Sequence, residues 1–254
     1  MLPTLQLGPL ALPMGPLVVL IGVWLGVSWV EREAARLTLD RDRLSTLALI
    51  GLIAGVVGGR LAYAVQHFEA YAADPLGLIS NNLATFAIVE GIVSGVLAAT
   101  LYGRIHKLPL RRTLDALAPL LIALSGSIAL AQLASGDGFG TPTDLPWSIR
   151  LWDADRHPTQ IYALIGALGV GVIWWRWARA LPDGLGFLIV VAGTAAATVV
   201  VEAFRGDSAL WAGGWRSAQV IGLVALTVSL IGMRRWGEPT VSVNSDDHGS
   251  SAKE

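Results

Sequence analysis

A chain of 254 residues that is 54% hydrophobic and only 15% charged, with a mean hydropathy of +0.59, is too apolar for a soluble domain, where charge runs at about 25%. Its net charge of −1 comes with no basic stripe, so nothing draws it to nucleic acid. It has no cysteine, which excludes disulfides, thiolate nucleophiles and Cys-ligated metals.

The expected fold is an all-α integral membrane protein. The N-terminal MLPTLQLGPLALP lacks the basic region of a secretory signal peptide, so the apolar run after it reads as a retained span. Apolar runs of about 20 residues, enough to cross a bilayer, predict seven transmembrane helices. They cover Pro9–Trp29, Thr46–Val65, Leu83–Tyr102, Thr113–Leu133, Gln160–Trp177, Leu185–Phe204 and Ser217–Met233. The fourth is interrupted by the small and polar residues of SGSIALAQ. The span region, 1–236, reads as one domain. The tail 237–254 is polar and aperiodic and is expected to be disordered.

Thirteen of the 18 Lys and Arg residues fall in the loops on one side: Arg32, Arg36, Arg41, Arg43, Arg104, Lys107, Arg111, Arg112, Arg176, Arg179, Arg234, Arg235 and Lys253. The opposite loops hold Arg150, Arg156, Arg205 and Arg216, and Arg60 lies within a span. The positive-inside rule puts the N-terminus outside and the C-terminus in the cytoplasm. Trp174, Trp175, Trp177 and Trp236 fall at expected inner ends, as interfacial anchors do.

Polar residues inside such a chain carry the chemical information. Arg60, in VVGGRLAYAV of the second span, either faces a cavity or partner or snorkels to the interface. The stretch Ser135–Tyr162, SGDGFGTPTDLPWSIRLWDADRHPTQIY, runs from the fourth span into the fifth, and its part up to Gln160 is an irregular polar loop on the outer face. Non-helical backbone near a membrane persists where it lines protein or a water-filled site. Within the loop, Asp137 is either a turn former between glycines or a base or hydrogen-bond acceptor. His157, before Pro158, Thr159 and Gln160, either marks a helix start or offers an imidazole and an amide to a lipid headgroup. Glu202 and Arg205, three apart in VVVEAFRGD, share a helix face. They form either an interfacial ion pair or a carboxylate poised by a cation. His67, His106, His157 and His248 stand apart, so no metal site is expected. Nothing signals a soluble cofactor.

In this order, GGRLAY (Gly58–Tyr63), KLPLRRTLDALAP (Lys107–Pro119), GDGFGTPTDLPW (Gly136–Trp147), RHPTQIY (Arg156–Tyr162) and VEAFR (Val201–Arg205) resemble the prolipoprotein diacylglyceryl transferase family over nearly the whole chain. The resemblance implies a bacterial plasma-membrane enzyme of seven spans. It would transfer a diacylglyceryl group from phosphatidylglycerol to the lipobox cysteine of a prolipoprotein, releasing glycerol 1-phosphate. It also implies Asp137, His157 and Glu202 as catalytic residues, and Arg60, Gly140, Gln160 and Arg205 as substrate-binding ones. Phosphatidylglycerol and the prolipoprotein signal peptide are the implied partners.

Several family positions differ. The family's arginine and two asparagines before the glycine-rich loop fall on Ala129, Gln132 and Ser135. An arginine one turn before Glu202 falls on Thr198, and a glutamate after the HPTQIY motif on Ala163. A His or Tyr in the third span falls on Val89, with Glu90 one residue on, and a first-span tyrosine on Met14. The alternative left open is therefore a degenerate homologue that binds lipid or lipoprotein without transferase chemistry. A small transporter would spread its charges through the bundle, whereas these gather at one side.

Overall fold

The computed structural model describes residues 4–7, 10–74, 77, 86–211 and 213–238. Seven helices long and apolar enough to cross a membrane organise it. In chain order they are α1 (Met14–Arg36), α2 (Arg41–Gln66), α4 (Ile88–Ile105), α5 (Leu110–Ser135), α6 (Thr159–Arg176), α7 (Leu185–Glu202) and α8 (Ser217–Gly237). A short α3 (Phe68–Ala73) follows α2. The described residues also form a short 3₁₀ turn (Ala178–Ala180) and two hairpins: β1 (Thr4–Leu7) with β2 (Leu10–Pro13), and β3 (Ile149–Leu151) with β4 (Ala154–Arg156).

All seven expected spans are present, with shifted ends. The first begins at Met14 rather than Pro9, because Leu10–Pro13 is paired as a strand with Thr4–Leu7. Pro13, extended at φ −67° and ψ 128°, serves as the N-cap residue, and a residue before proline is pushed out of the helical region. The same helix continues past Trp29 to Arg36. Glu33 there is buried, yet it is bound by Arg36 Nε at 2.6 Å and by Arg179 Nη2 at 2.9 Å. The interruption expected in the fourth span does not break the helix. Ser125 and Ser127 donate their hydroxyls to the carbonyls of Leu121 and Leu124 in α5 itself, which satisfies them inside an apolar bundle. The third span was expected from Leu83, and α4 is described from Ile88; residues 78–85 lie outside the described set, as does 239–254 of the expected disordered tail.

In lipid, helices gain little from burying apolar side chains, so packing relies on small residues that let backbones approach. The pair α2–α4 is built this way. A Cβ on Gly95 would stand 2.7 Å from the Gly51 carbonyl, and one on Gly91 would stand 2.9 Å from that of Gly55. Gly22 and Gly26 of α1 similarly admit Ser127 and Leu120 of α5. Helix α5 is the hub, packing on α1, α6 and α7. Val30, Ala34, Leu44, Ala48, Ala116 and Leu120 form one core among α1, α2 and α5; Ala118, Ile122, Val170, Trp174 and Val190 form another among α5, α6 and α7.

The up-down order divides the molecule into two ends. One carries the turns α1–α2, α4–α5 and α6–α7, with most of the basic residues. There Asp115 of α5 accepts from the backbone N–H groups of Gly184 and Phe187, capping the start of α7. The other end carries the loop from Gly136 to Pro158 and the turn from Ala203 to Arg216.

Candidate active site

The loop after α5 is irregular but closely tied. Helix α5 stops at Gly136, left-handed at φ 83°, where glycine pays no steric penalty. Backbone bonds then lace the loop to the end of α7: Thr141 N to Phe204 O and Gly206 N to Phe139 O, each 2.8 Å, with Gly140 bridged antiparallel to Arg205. The start of α6 holds it from the other side. Thr159 Oγ1 donates to Gly138 O at 2.6 Å and Gln160 Nε2 to Asp137 O at 2.8 Å, both side chains 1% exposed. The second half of the loop is the β3–β4 hairpin, turned by Trp152 and Asp153 at φ 52° and 60°. Arg156 fastens hairpin to loop, donating to Leu151 O and Gly140 O with its guanidinium 4.9 Å over the Phe139 ring.

This lacing sets the end of α7 against the C-terminal half of α5. Between α5, α6 and α7 is a cavity of about 220 Å³, lined by Ser125, Ile128, Ala129, Gln132, Ala163, Ala167, Thr194, Ala197, Thr198, Val201, Glu202 and Arg205. Its charged residues are Glu202 and Arg205, at the loop end. Glu202 is 2% exposed, and Arg205 Nη1 stands 3.7 Å from its carboxylate, outside hydrogen-bond range. Arg205 is anchored instead by Asp207, whose Oδ1 accepts from Arg205 Nε at 2.9 Å while its Oδ2 accepts from Gly138 N at 2.8 Å. Deeper in, Ser125 and Thr198 donate their hydroxyls to their own helices. They therefore turn lone pairs, not donors, toward the cavity.

Of the seven residues singled out from the sequence, Glu202 and Arg205 line the cavity. Gln160 lies behind the loop, its Oε1 buried with no hydrogen-bond partner. Asp137 contributes its backbone carbonyl to Gln160, while its carboxylate is exposed and accepts from Ser135 Oγ at 2.7 Å. The His157 ring stands against Phe204 and Tyr162, with Nδ1 3.4 Å from the Tyr162 hydroxyl. Gly140 allows the loop to pass His157: a Cβ there would overlap the His157 carbonyl and stand 2.6 Å from its Cβ. Arg60 is apart from the cavity lining, its Nη2 donating to Gly77 O at 2.8 Å.

Sequence reasoning missed Asp207 and Arg216. Asp207 stands two residues beyond Arg205, a spacing with no helical meaning once the helix has ended. Arg216 entered only as a charge in a loop. Four of the positions noted as departures converge, Ala129, Gln132, Ala163 and Thr198 all lining the cavity, whereas Met14, Val89, Glu90 and Ser135 are not among its lining residues.

Comparison with known proteins agrees with the motif pattern. The sequence model of the family described as prolipoprotein diacylglyceryl transferase matches residues 3–235. The phosphatidylglycerol–prolipoprotein diacylglyceryl transferase of Synechococcus elongatus is 29% identical, the match covering 91% of this chain and 86% of the relative. The enzyme of the same name from Chromohalobacter salexigens is 30% identical over 71% and 72% of the two chains. That from Cutibacterium acnes is 28% identical over 96% and 87%.

Proposed function

Since the chain belongs to the prolipoprotein diacylglyceryl transferase family, we propose that it moves a diacylglyceryl group from phosphatidylglycerol to the lipobox cysteine thiol of a prolipoprotein, in the bacterial plasma membrane. The observation that carries the reading is the loop-end pair in the cavity, a buried carboxylate beside a cation whose Nη1 it does not hydrogen-bond. The relatives' transferase names favour an enzyme over a degenerate homologue.

In the step proposed, the peptide sulfur forms a bond to the glyceryl carbon that carries the phosphate. The carbon–oxygen bond breaks, and its electron pair leaves on glycerol 1-phosphate. The thiolate is the competent nucleophile, so the thiol proton goes to Glu202 and from there to solvent. Arg205 stands where charge collects on the departing phosphate, the place where a fixed donor lowers the barrier most. With Nε held by Asp207, its Nη groups are the ones that turn to the anion. Gln160, buried behind the loop, supports the headgroup site by holding the Asp137 carbonyl. His157 and Asp137 take supporting roles beside the loop, and Gly140 lets the backbone close over the headgroup. Arg60 binds the lipid from the α2 side. The charge asymmetry of the loops supports a cavity open to the outer leaflet.

Reconstitution in phosphatidylglycerol vesicles with a lipobox peptide tests the reading. Mass spectrometry is expected to find one diacylglyceryl group on the peptide cysteine, and none when phosphatidylcholine replaces the donor. No adduct, under conditions in which one of the named relatives works, overturns it.

A further inference from the structure

We infer that Arg216 is a positioning residue for the transfer: it holds the end of α7 in the geometry that presents Glu202 and Arg205. This rests on the transferase reading above. A single atom carries the argument. Arg216 Nη1 donates to the carbonyl of Glu202, to that of Arg205 at 2.7 Å and to the Ser208 hydroxyl at 3.1 Å. The final carbonyls of a helix have no partner within it, and a cation there also meets the negative end of the helix dipole. The two carbonyls gripped belong to the two residues that supply the cavity with its charge.

The grip has a fixed base. Arg216 is the N-cap residue of α8 and bridges antiparallel to Leu210, while Ser217 N donates to Ala209 O at 2.9 Å. The start of one span therefore clamps the end of another. Arg216 does not line the cavity, so it acts through the backbone rather than on substrate. In near-attack geometry a misplacement of about 1 Å costs on the order of 10²-fold in rate, and turning the peptide units at Glu202 and Arg205 moves both side chains at once. Because all three acceptors converge on one nitrogen, whose two N–H groups serve them with one hydrogen shared, an ammonium with its three N–H groups can stand in for the guanidinium. A neutral amide leaves the carbonyls of Glu202 and Arg205 without their cation.

The test compares Arg216→Gln and Arg216→Lys in phosphatidylglycerol vesicles with the lipobox peptide, alongside amide hydrogen exchange. R216Q is expected to lose about tenfold or more in kcat, with KM for phosphatidylglycerol within about threefold, as removal of an interaction felt in the transition state predicts. Exchange at residues 203–206 should quicken, and R216K should recover most of both. A kcat for R216Q within about twofold of wild type overturns the inference, as does a raised KM with kcat intact, which would make Arg216 a substrate ligand. If the wild-type chain transfers nothing, the transferase reading falls by itself and exchange decides: quickening at 203–206 in R216Q supports the clamp, and unchanged exchange removes it. Should R216Q fail to fold, Ser208→Ala removes one acceptor and keeps the cation. Quickened exchange at the same amides then supports the clamp, and unchanged exchange overturns it.

Discussion

Two carboxylates compete for Arg205, and their geometries differ. Asp207 holds Nε at 2.9 Å, whereas Glu202 faces Nη1 at 3.7 Å. The first contact orients the guanidinium and the second is open to exchange for a phosphate oxygen. On this basis Glu202→Gln is expected to lower kcat by about 10²-fold or more, the usual scale for a general base, with little change in peptide affinity. Asp207→Asn keeps an acceptor for Gly138 N but loses the charged anchor, and should weaken transfer by about tenfold. Both are read by initial rates in vesicles; an E202Q rate within about twofold of wild type would remove Glu202 from proton transfer. Glu202 and Arg205 were legible in sequence because three-residue spacing at a helix end already implies a shared face. Asp207 was not, because it acts across an irregular turn on a backbone N–H 69 positions away, and no local pattern encodes such a contact.

The span helices were legible because hydrophobic length is a strong signal; their ends were not. Some of the capping contacts that set those ends come from elsewhere in the chain. Asp115 is the clearest case: it sits in one span and caps the start of another. Asp115→Ala leaves two buried N–H groups without their acceptor and should cost about 2 kcal/mol, seen as a lower melting temperature in detergent. The β3–β4 hairpin escaped notice for a related reason. Its turn uses Trp152 and Asp153 at positive φ, where Asn-Gly is the pair that announces such a turn. At Gly140 the loop meets His157 so closely that Gly140→Ala is an overpacking change. It should cost about 1–3 kcal/mol and depress both melting temperature and transfer. An alanine variant with wild-type stability would show that the loop has room the contacts deny.

Across the whole molecule, the up-down order separates a basic end from the end that bears the cavity. Insertion with the basic end in the cytoplasm predicts a simple labelling pattern, since the chain has no cysteine of its own. Asp144→Cys should react with a membrane-impermeant maleimide on intact cells, and Asp42→Cys only after permeabilisation. The opposite pattern would invert the topology. The cavity runs along this same axis, and its wall changes character with depth. Near the loop stand Gln132, Glu202 and Arg205; further in are Ala167, Ala197 and the hydroxyls of Ser125 and Thr198, already spent on their own helices. Such a chamber is keyed like a polarised socket. An amphiphile seats with its head at the rim and its hydrocarbon inward, and a molecule inserted the other way round would carry its charge away from Glu202 and Arg205, the charged residues of the lining.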